Sequence, residues 1–274
     1  KNDNPLSNDD IFEIWEDTLQ NSMPSPGLLE NDSDPENDPV VVAINDETSG
    51  IIPGRYGRLE WDYSGAYTYF SDSATVNHFA KDSLYTDTFR YRMKDSNNAD
   101  SYSFLYVRIK GQNDAPYAIN DYDYVNELDT IQKTTVYSGL LKNDYDIDYH
   151  DSVSVLMLNN QMEVPAIGIY GQLFWASDGT YTYVPNEETD TLSFGEIVIE
   201  TFDYTITDLH DSLTSAQLII NITGTNDSPV AVNDTIQVSE DSLQVAFAEP
   251  EGRLLFNDFD VDRDSFWVYS VDAK

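Results

Sequence analysis

Three acidic loops hold the residues with the clearest chemical potential in this chain. They read Asn31-Asp32-Ser33-Asp34-Pro35-Glu36-Asn37-Asp38, Asn143-Asp144-Tyr145-Asp146-Ile147-Asp148-Tyr149-His150-Asp151 and Asn257-Asp258-Phe259-Asp260-Val261-Asp262-Arg263-Asp264. Carboxylates at alternate loop positions can converge on one hard cation, which takes about six to eight oxygens in irregular geometry. The candidate ligands are therefore Asp32, Asp34, Glu36 and Asp38; Asp144, Asp146, Asp148 and Asp151; and Asp258, Asp260, Asp262 and Asp264. Calcium suits such a set better than magnesium or zinc. A solitary Asp-x-Asp would be read as a solvated loop tip, but three copies in register argue for metal. The pattern is not an EF-hand: the loop lacks the required glycine, and counting from Asp144 puts Val155 where the bidentate glutamate belongs. The glycine-rich nonapeptide of calcium-binding β-rolls is also absent.

A second acidic set is expected at each junction. Asp114 and Asp227 lie in Asn-Asp-x-Pro linkers, Asp121 and Asp234 follow shortly after, and Glu16, Asp17, Glu127 and Glu240 close the first strand of each repeat. Asp95 and Asp208 end a later strand and are expected to join from the preceding repeat. A cation there would lock the hinge; the plainer alternative is that proline alone stiffens it.

Composition points the same way. Lysine and arginine total 14 against 50 aspartates and glutamates, a formal charge of −36. Such an excess opposes compaction unless bound cations offset it, and it disfavours nucleic acid and anionic membrane surfaces as partners. There is no cysteine, which removes disulfides and thiolate chemistry. No apolar run reaches membrane-spanning length, so no membrane insertion is expected. The start, Lys1-Asn2-Asp3-Asn4-Pro5, has no signal-peptide pattern, and the chain reads as a piece of something longer.

The elements that must position these acids recur about every 112 residues. Asn2-Asp3-Asn4-Pro5 returns as Asn113-Asp114-Ala115-Pro116 and Asn226-Asp227-Ser228-Pro229, and Leu28-Leu29 before the first acidic loop returns as Leu140-Leu141 and Leu254-Leu255. Asn8-Asp9 is matched to Asn120-Asp121 and Asn233-Asp234. Tyr56-Gly57-x-Leu59-x-Trp61 with Gly65-x-Tyr67-x-Tyr69 returns as Tyr170-Gly171-x-Leu173-x-Trp175 with Gly179-x-Tyr181-x-Tyr183, and Thr88-Phe89-x-Tyr91 as Thr201-Phe202-x-Tyr204. Period-two alternation in these segments predicts half-buried strands, and Ser-Gly or Asp-Gly between them predicts hairpins. With tyrosine, threonine, valine and isoleucine abundant and no convincing amphipathic helix, the expected fold is all-β: tandem immunoglobulin-like sandwiches over 1–115 and 116–228, and an incomplete one over 229–274. Ile11, Ile14, Trp15 and Leu19 offer a helical spacing, but the equivalent segments Asp123-Tyr124-Val125 and Thr235-Ile236-Gln237-Val238 are strand-like, so a strand is expected there too.

The order of these motifs, ending in Gly224-Thr225-Asn226-Asp227-Ser228-Pro229-Val230-Ala231, resembles the VCBS and cadherin-like tandem repeats of large secreted bacterial adhesins and surface appendages. The resemblance implies calcium-rigidified modules that act as an extracellular, cell-surface spacer, in contact with neighbouring repeats of the same protein. Pro35-Glu36-Asn37 departs from the alternating aspartates of the family, as does Asn97-Asn98 from its glycine-rich loop. No enzyme is expected, because a catalytic site is built once and nothing here breaks the repeat; His78, His150 and His210 read as solvated or supporting groups. The rival reading is a calcium-dependent carbohydrate-binding module. Trp61 and Trp175 recur at one position and read as core, whereas Trp15 and Trp267 are candidates for an exposed glycan contact. Self-association in a fibre is a further expectation, raised by the incomplete third repeat.

Overall fold

The computed structural model describes residues 1–235, 240 and 254–271. They fall into two compact units. The first comprises 1–115 with the loops 146–152 and 208–212, and the second 116–145, 153–207 and the described part of 213–274.

In the first unit the strands are β1 (Asp10–Trp15), β2 (Gln20–Met23), β3 (Val40–Ala43), β4 (Gly50–Pro53), β5 (Gly57–Trp61), β6 (Tyr67–Ser71), β7 (Leu84–Asp95) and β8 (Asp100–Lys110), with a short helix α1 (Ser73–Val76) before β7. They form two four-stranded sheets in the orders β1-β8-β7-β3 and β2-β6-β5-β4. The second unit repeats this with β9 (Asp121–Asn126), β10 (Ile131–Lys133), β11 (Ser154–Leu158), β12 (Ala166–Ile167), β13 (Gly171–Trp175), β14 (Tyr181–Pro185), β15 (Ile197–Thr207) and β16 (Leu213–Thr223). Its sheets run β9-β16-β15-β11 and β10-β14-β13-β12, the same order. In both units the first strand lies parallel to the last, with Asp10 opposite Leu105 and Asp121 opposite Leu218.

Alternation explains why these segments are strands. Phe12 and Ile14 of β1 are buried while Ile11 and Trp15 face solvent, so the period is two and not that of a helix. Phe12, Val107 and Phe89 from one sheet share a core with Leu59, Tyr67 and Tyr69 from the other. Phe202, Leu218 and Ile220 meet Leu173, Tyr181 and Tyr183 in the same way in the second unit. Each unit is thus a sandwich, as the motifs predicted. Trp61 is core, Trp175 packs partly buried against the core, and Trp15 and Trp267 are exposed. The strand expected at Thr235-Ile236-Gln237-Val238 lies, beyond its first residue, outside the described residues.

Strand pairing corrects one internal match. Asp121 occupies the place of Asp10, not Asp9. Asp9 instead corresponds to Asn120: Asp9 Oδ1 accepts from the Phe104 N–H at 3.0 Å, and Asn120 Oδ1 from the Gln217 N–H at 3.0 Å. Both side chains accept a main-chain N–H of the last strand just beyond its pairing with the first, which aspartate and asparagine do equally well.

The hairpin glycines hold the acidic loops in place. The Leu28 N–H donates to the Gly65 carbonyl at 2.9 Å, and the Leu140 N–H to Gly179 at 2.8 Å, while both leucines are fully buried. Gly65 sits at φ +84°, and a β-carbon there would come within 2.2 Å of the Pro26 carbonyl oxygen. Gly65→Ala is therefore expected to cost about 1–3 kcal/mol, since backbone strain and a clash with main chain act together. Gly195 has φ +78° but nothing within 4 Å of the place a β-carbon would take, so Gly195→Ala isolates the strain alone and should cost less. Urea unfolding of the two variants checks the difference.

Candidate metal centres

Each acidic loop uses its carboxylates in a fixed division of labour. The first is an anchor. Asp32 Oδ1 accepts the Asn8 N–H, Asp144 Oδ1 the Ile119 N–H and Asp258 Oδ1 the Val232 N–H, all at 2.7 Å. The core hydroxyls of Tyr91 and Tyr204 approach the second oxygen of Asp32 and of Asp144 at 3.1 Å. Burial pushes Asp144 up to about 6, against the lowering effect of these donors, and raises Asp32. These groups tie the loop to the entering chain.

The next acid curls the loop. Asp34 Oδ1 accepts the N–H groups of Glu36 and Asp38, Asp146 Oδ1 that of Asp148, and Asp260 Oδ1 those of Asp262 and Asp264. The remaining oxygens of Asp34 and Asp146 are buried and have no hydrogen-bond donor. The third acid meets the linker: Glu36 Oε2 accepts the Asp3 N–H at 3.3 Å, Asp148 Oδ2 the Asp114 N–H at 3.0 Å and Asp262 Oδ2 the Asp227 N–H at 2.8 Å. Glu36 thus keeps the function of the aspartates it replaces.

In the first unit these pieces meet the end of β1. Glu16 is 2% exposed, with Oε2 accepting from the Phe79 N–H at 3.1 Å and Oε1 from the Gln112 N–H. Asp17, exposed, accepts from Gln112 Nε2 at 3.1 Å. Asn113 Oδ1, Asp114 Oδ2, Asp146 Oδ2 and Asp148 Oδ1 are all buried oxygens without a donor. Carboxylate oxygens of Asp146, Asp148 and Asp151 lie within 4.8 Å of one another. Burial raises Glu16 to about 7, with Asp148 and Asp114 adding to the effect, and raises Asp148 to about 6, reinforced by Asp114, Asp146 and Asp151. Acceptors buried without donors are costly, and a shared cation satisfies them all at once.

The second unit carries the matching arrangement. Glu127 is 3% exposed; its Oε1 accepts from the Thr225 N–H and hydroxyl, while Oε2 has no donor. Asp227 Oδ2 and Asp262 Oδ1 are likewise buried and unsatisfied. Burial raises Asp227, and Asp262, Asp190, Glu127 and Asp260 raise it further.

Other expected ligands are placed differently. Asp95 and Asp208 meet the linker that opens their own repeat, not the following one: Asn2 Nδ2 donates to Asp95 Oδ2 and Asn113 Nδ2 to Asp208 Oδ2, both at 2.7 Å. The hairpin that ends β7 or β15 turns at the same end of the sheet at which the chain enters. Burial works to raise both groups, but hydrogen bonds from these asparagines and from turn N–H groups outweigh it and hold them low. Asp38 Oδ2 accepts from Asn97 Nδ2, and Asp151 Oδ2 lies 3.1 Å from His210 Nδ1. Asp121 stands at the start of β9, ion-paired to Lys142 at 2.6 Å. Asp234, Glu240 and Asp264 are exposed.

Two acids with structural roles escaped notice in the sequence. Asp87 receives the Arg55 N–H at 2.7 Å and the Tyr69 hydroxyl at 2.6 Å, and Glu200 receives the Tyr170 N–H at 2.6 Å. A β-carbon on Gly54 or Gly168 would lie 2.1 or 2.3 Å from these carboxylates, so the loop before β5 or β13 is clamped onto them. The available signal was an acid at an inward-facing strand position, repeated in both units.

Two successive stretches, residues 2–111 and 113–224, match the bacterial cadherin-like domain. The chain belongs to the bacterial cadherin-like domain family. It is also similar to a protein of Rhizobium johnstonii described as calcium-binding lectin RapA2, 28% identical over 221 residues that cover 74% of this chain and 90% of that one. Among solved structures it resembles Drosophila N-cadherin EC1-4 at 13% identity and a TM-score of 0.43, covering 81% of this chain and 50% of that one. Mouse cadherin-23 EC22-24 matches at 14% identity and a TM-score of 0.46, covering 85% and 71%. The chain thus spans half the length of the Drosophila structure. No described helix is long and apolar enough to cross a membrane.

A pH dependence follows from the raised carboxyls. Glu16 and Asp148 hold protons in the fold at pH values where the unfolded chain has lost them, so without metal their contribution to stability is fully present below about 4 and is lost as pH rises toward 7, whereas Asp95 and Asp208, held low, act in the opposite direction at acid pH. Thermal melts in a chelator at a series of pH values should show this decline.

Proposed function

We propose that this chain is a calcium-rigidified spacer of an exported bacterial adhesin or extracellular fibre, acting mechanically and without turnover. The observation that carries the reading is the set of buried oxygens without donors: Asn113 Oδ1, Asp114 Oδ2, Asp146 Oδ2 and Asp148 Oδ1 in one centre, and Glu127 Oε2, Asp227 Oδ2 and Asp262 Oδ1 in the other. All are hard oxygen donors, from the curled acidic loops, the linkers and the end of a first strand, the chemistry calcium prefers. Membership of the cadherin-like family and the calcium-binding description of the Rhizobium relative support it. In this reading Glu16, Asp114, Asp146 and Asp148 hold the ion in the first centre, with Asp151 and Asp208 alongside. Glu127, Asp227, Asp260 and Asp262 hold it in the second. Asp34, Glu36 and Asp38 are the corresponding acids of the first loop. The bound ions fix the linkers, so that tandem repeats hold a distal binding domain away from the cell.

Extracellular modules bind calcium at about 10⁻⁴–10⁻³ M, so calcium at about a hundred times the dissociation constant should stabilise the fold by about 2.7 kcal/mol. Melting with calcium and with a chelator measures this. Asp148→Asn should abolish most of the gain from the first centre, whereas Glu163→Gln, at an exposed site away from it, should retain the gain. An unchanged melting temperature on adding calcium to the unaltered chain would overturn the reading.

The description of the Rhizobium protein as a lectin favours a second reading, calcium-dependent glycan binding. Specific binding of the chain to a glycan array, lost in chelator, would establish it over the spacer role.

A further inference from the structure

The outer face of the sheet β1-β8-β7-β3 differs in charge from the rest of the chain. Arg90, Arg92 and Lys94 of β7 and Arg108 and Lys110 of β8 alternate with buried core residues and so share that face. Five of the 14 basic residues are therefore gathered on one sheet face of a chain with net charge −36. Aromatic rings lie among them. Tyr102, Phe104 and Tyr106 alternate along β8, Phe104 stacks on Tyr106 with centroids 6.1 Å apart, Arg90 lies 4.1 Å above the Tyr102 ring, and Lys110 5.7 Å from Trp15. The acids paired with this set are Glu13, Asp46 and Asp100, so five cations answer three carboxylates.

The fold does not require this face. Strand register equates Phe89 and Leu105 with Phe202 and Leu218, so the counterparts of Arg90, Arg92, Lys94, Arg108 and Lys110 are Asp203, Thr205, Thr207, Asn221 and Thr223. Tyr102 and Phe104 become Ser215 and Gln217. The same sheet forms in the second unit without one of these cations.

The second repeat supplies the complementary surface. No lysine or arginine occurs between Lys142 and Arg253. Within that span Glu187, Glu188, Asp190 and Glu196 are exposed in the segment 187–196, which also carries Phe194, 77% exposed. Arginine, tyrosine, phenylalanine and tryptophan are the residues enriched where proteins bind one another.

We propose that the basic aromatic face of the first repeat docks the acidic 187–196 loop of a second copy of this chain. Because the two surfaces differ, the contact is heterologous: each copy offers both, and association extends head to tail. Opposed charge gives the contact its register and its salt dependence. Phe194 enters among Tyr102, Phe104 and Trp15, and the loop carboxylates meet Arg90, Lys94 and Arg108. None of these residues is a proposed ligand, but the loop borders the second centre, where Asp190 acts on Asp227 and the Ser193 hydroxyl donates to the Asp262 carbonyl, so calcium is kept saturating throughout the test.

Sedimentation velocity on the full chain in calcium tests it, using variants that borrow the residues of the second repeat, R90D/R92T/K94T/R108N/K110T, and a neutral loop, E187Q/E188Q/D190N/E196Q. Far-ultraviolet circular dichroism and melting confirm that each variant folds. The unaltered chain should associate with rising concentration, and its association constant should fall at least about tenfold between roughly 0.1 M and 1 M salt. Both variants should remain monomeric alone, and each should still pair with the other when mixed, because each retains the surface its partner lost. A strictly monomeric unaltered chain would overturn the proposal. So would association that survives either set of substitutions, or a monomer whose basic face binds an anionic polysaccharide such as polygalacturonate instead.

Discussion

Buried carboxyl oxygens that no protein donor reaches impose the main constraint on this molecule. Removing an ionised carboxylate from water costs several kcal/mol unless another charge answers it. The first unit has three such oxygens, from Asp114, Asp146 and Asp148, together with the amide oxygen of Asn113 and the buried Glu16. The fold can answer in two ways, by taking up protons or by taking up a cation. The raised Glu16 and Asp148 express the first response. The division of labour in the loops prepares the second, because Asp34, Asp146, Asp148 and Asp262 each spend one oxygen on backbone N–H groups and leave the other free.

That division depends on elements far apart in the chain. The anchoring aspartates Asp32 and Asp144 use the tyrosines of β7 and β15, which are themselves core residues, to hold the loop against the incoming linker. Gly65 and Gly179 present a carbonyl to the Leu-Leu turn that leads into the same loop. Asp87 and Glu200 fix the opposite approach to the hairpin. The acids of this chain therefore serve two purposes, and burial alone does not separate them. Asp87 is buried and fully supplied with donors, whereas Asp148 is buried and is not.

Two copies of one fold have also diverged where the fold is indifferent. Asp121 has Lys142 at 2.6 Å, but in the first repeat Glu30 follows the paired leucines where Lys142 does in the second. Asp10, the counterpart of Asp121, is accordingly pushed up to about 7 by burial, with Asp32, Asp9 and Glu30 contributing. The outward residues of β7 and β8 have changed further, since side chains pointing to solvent from a strand are free of the core that keeps Phe89, Leu105 and their equivalents alike.

Much of this was legible in the residues themselves. Repetition exposed the units, alternation exposed the strands, and the recurrence of Asp-x-Asp after Leu-Leu exposed the acidic loops, because periodicity is a local property of the chain. Three decisions belonged to tertiary structure. Which repeat Asp95 and Asp208 serve depends on the end of the sandwich at which a hairpin turns, and Asp121 was misaligned by one residue until strand pairing placed it opposite Leu218. Whether Asp32 or Asp34 leaves an oxygen free depends on donors brought from Asn8 and Tyr91. Spacing along a chain states which carboxylates can converge; only the folded backbone, by delivering or withholding N–H and O–H groups, determines which of them remain unsatisfied.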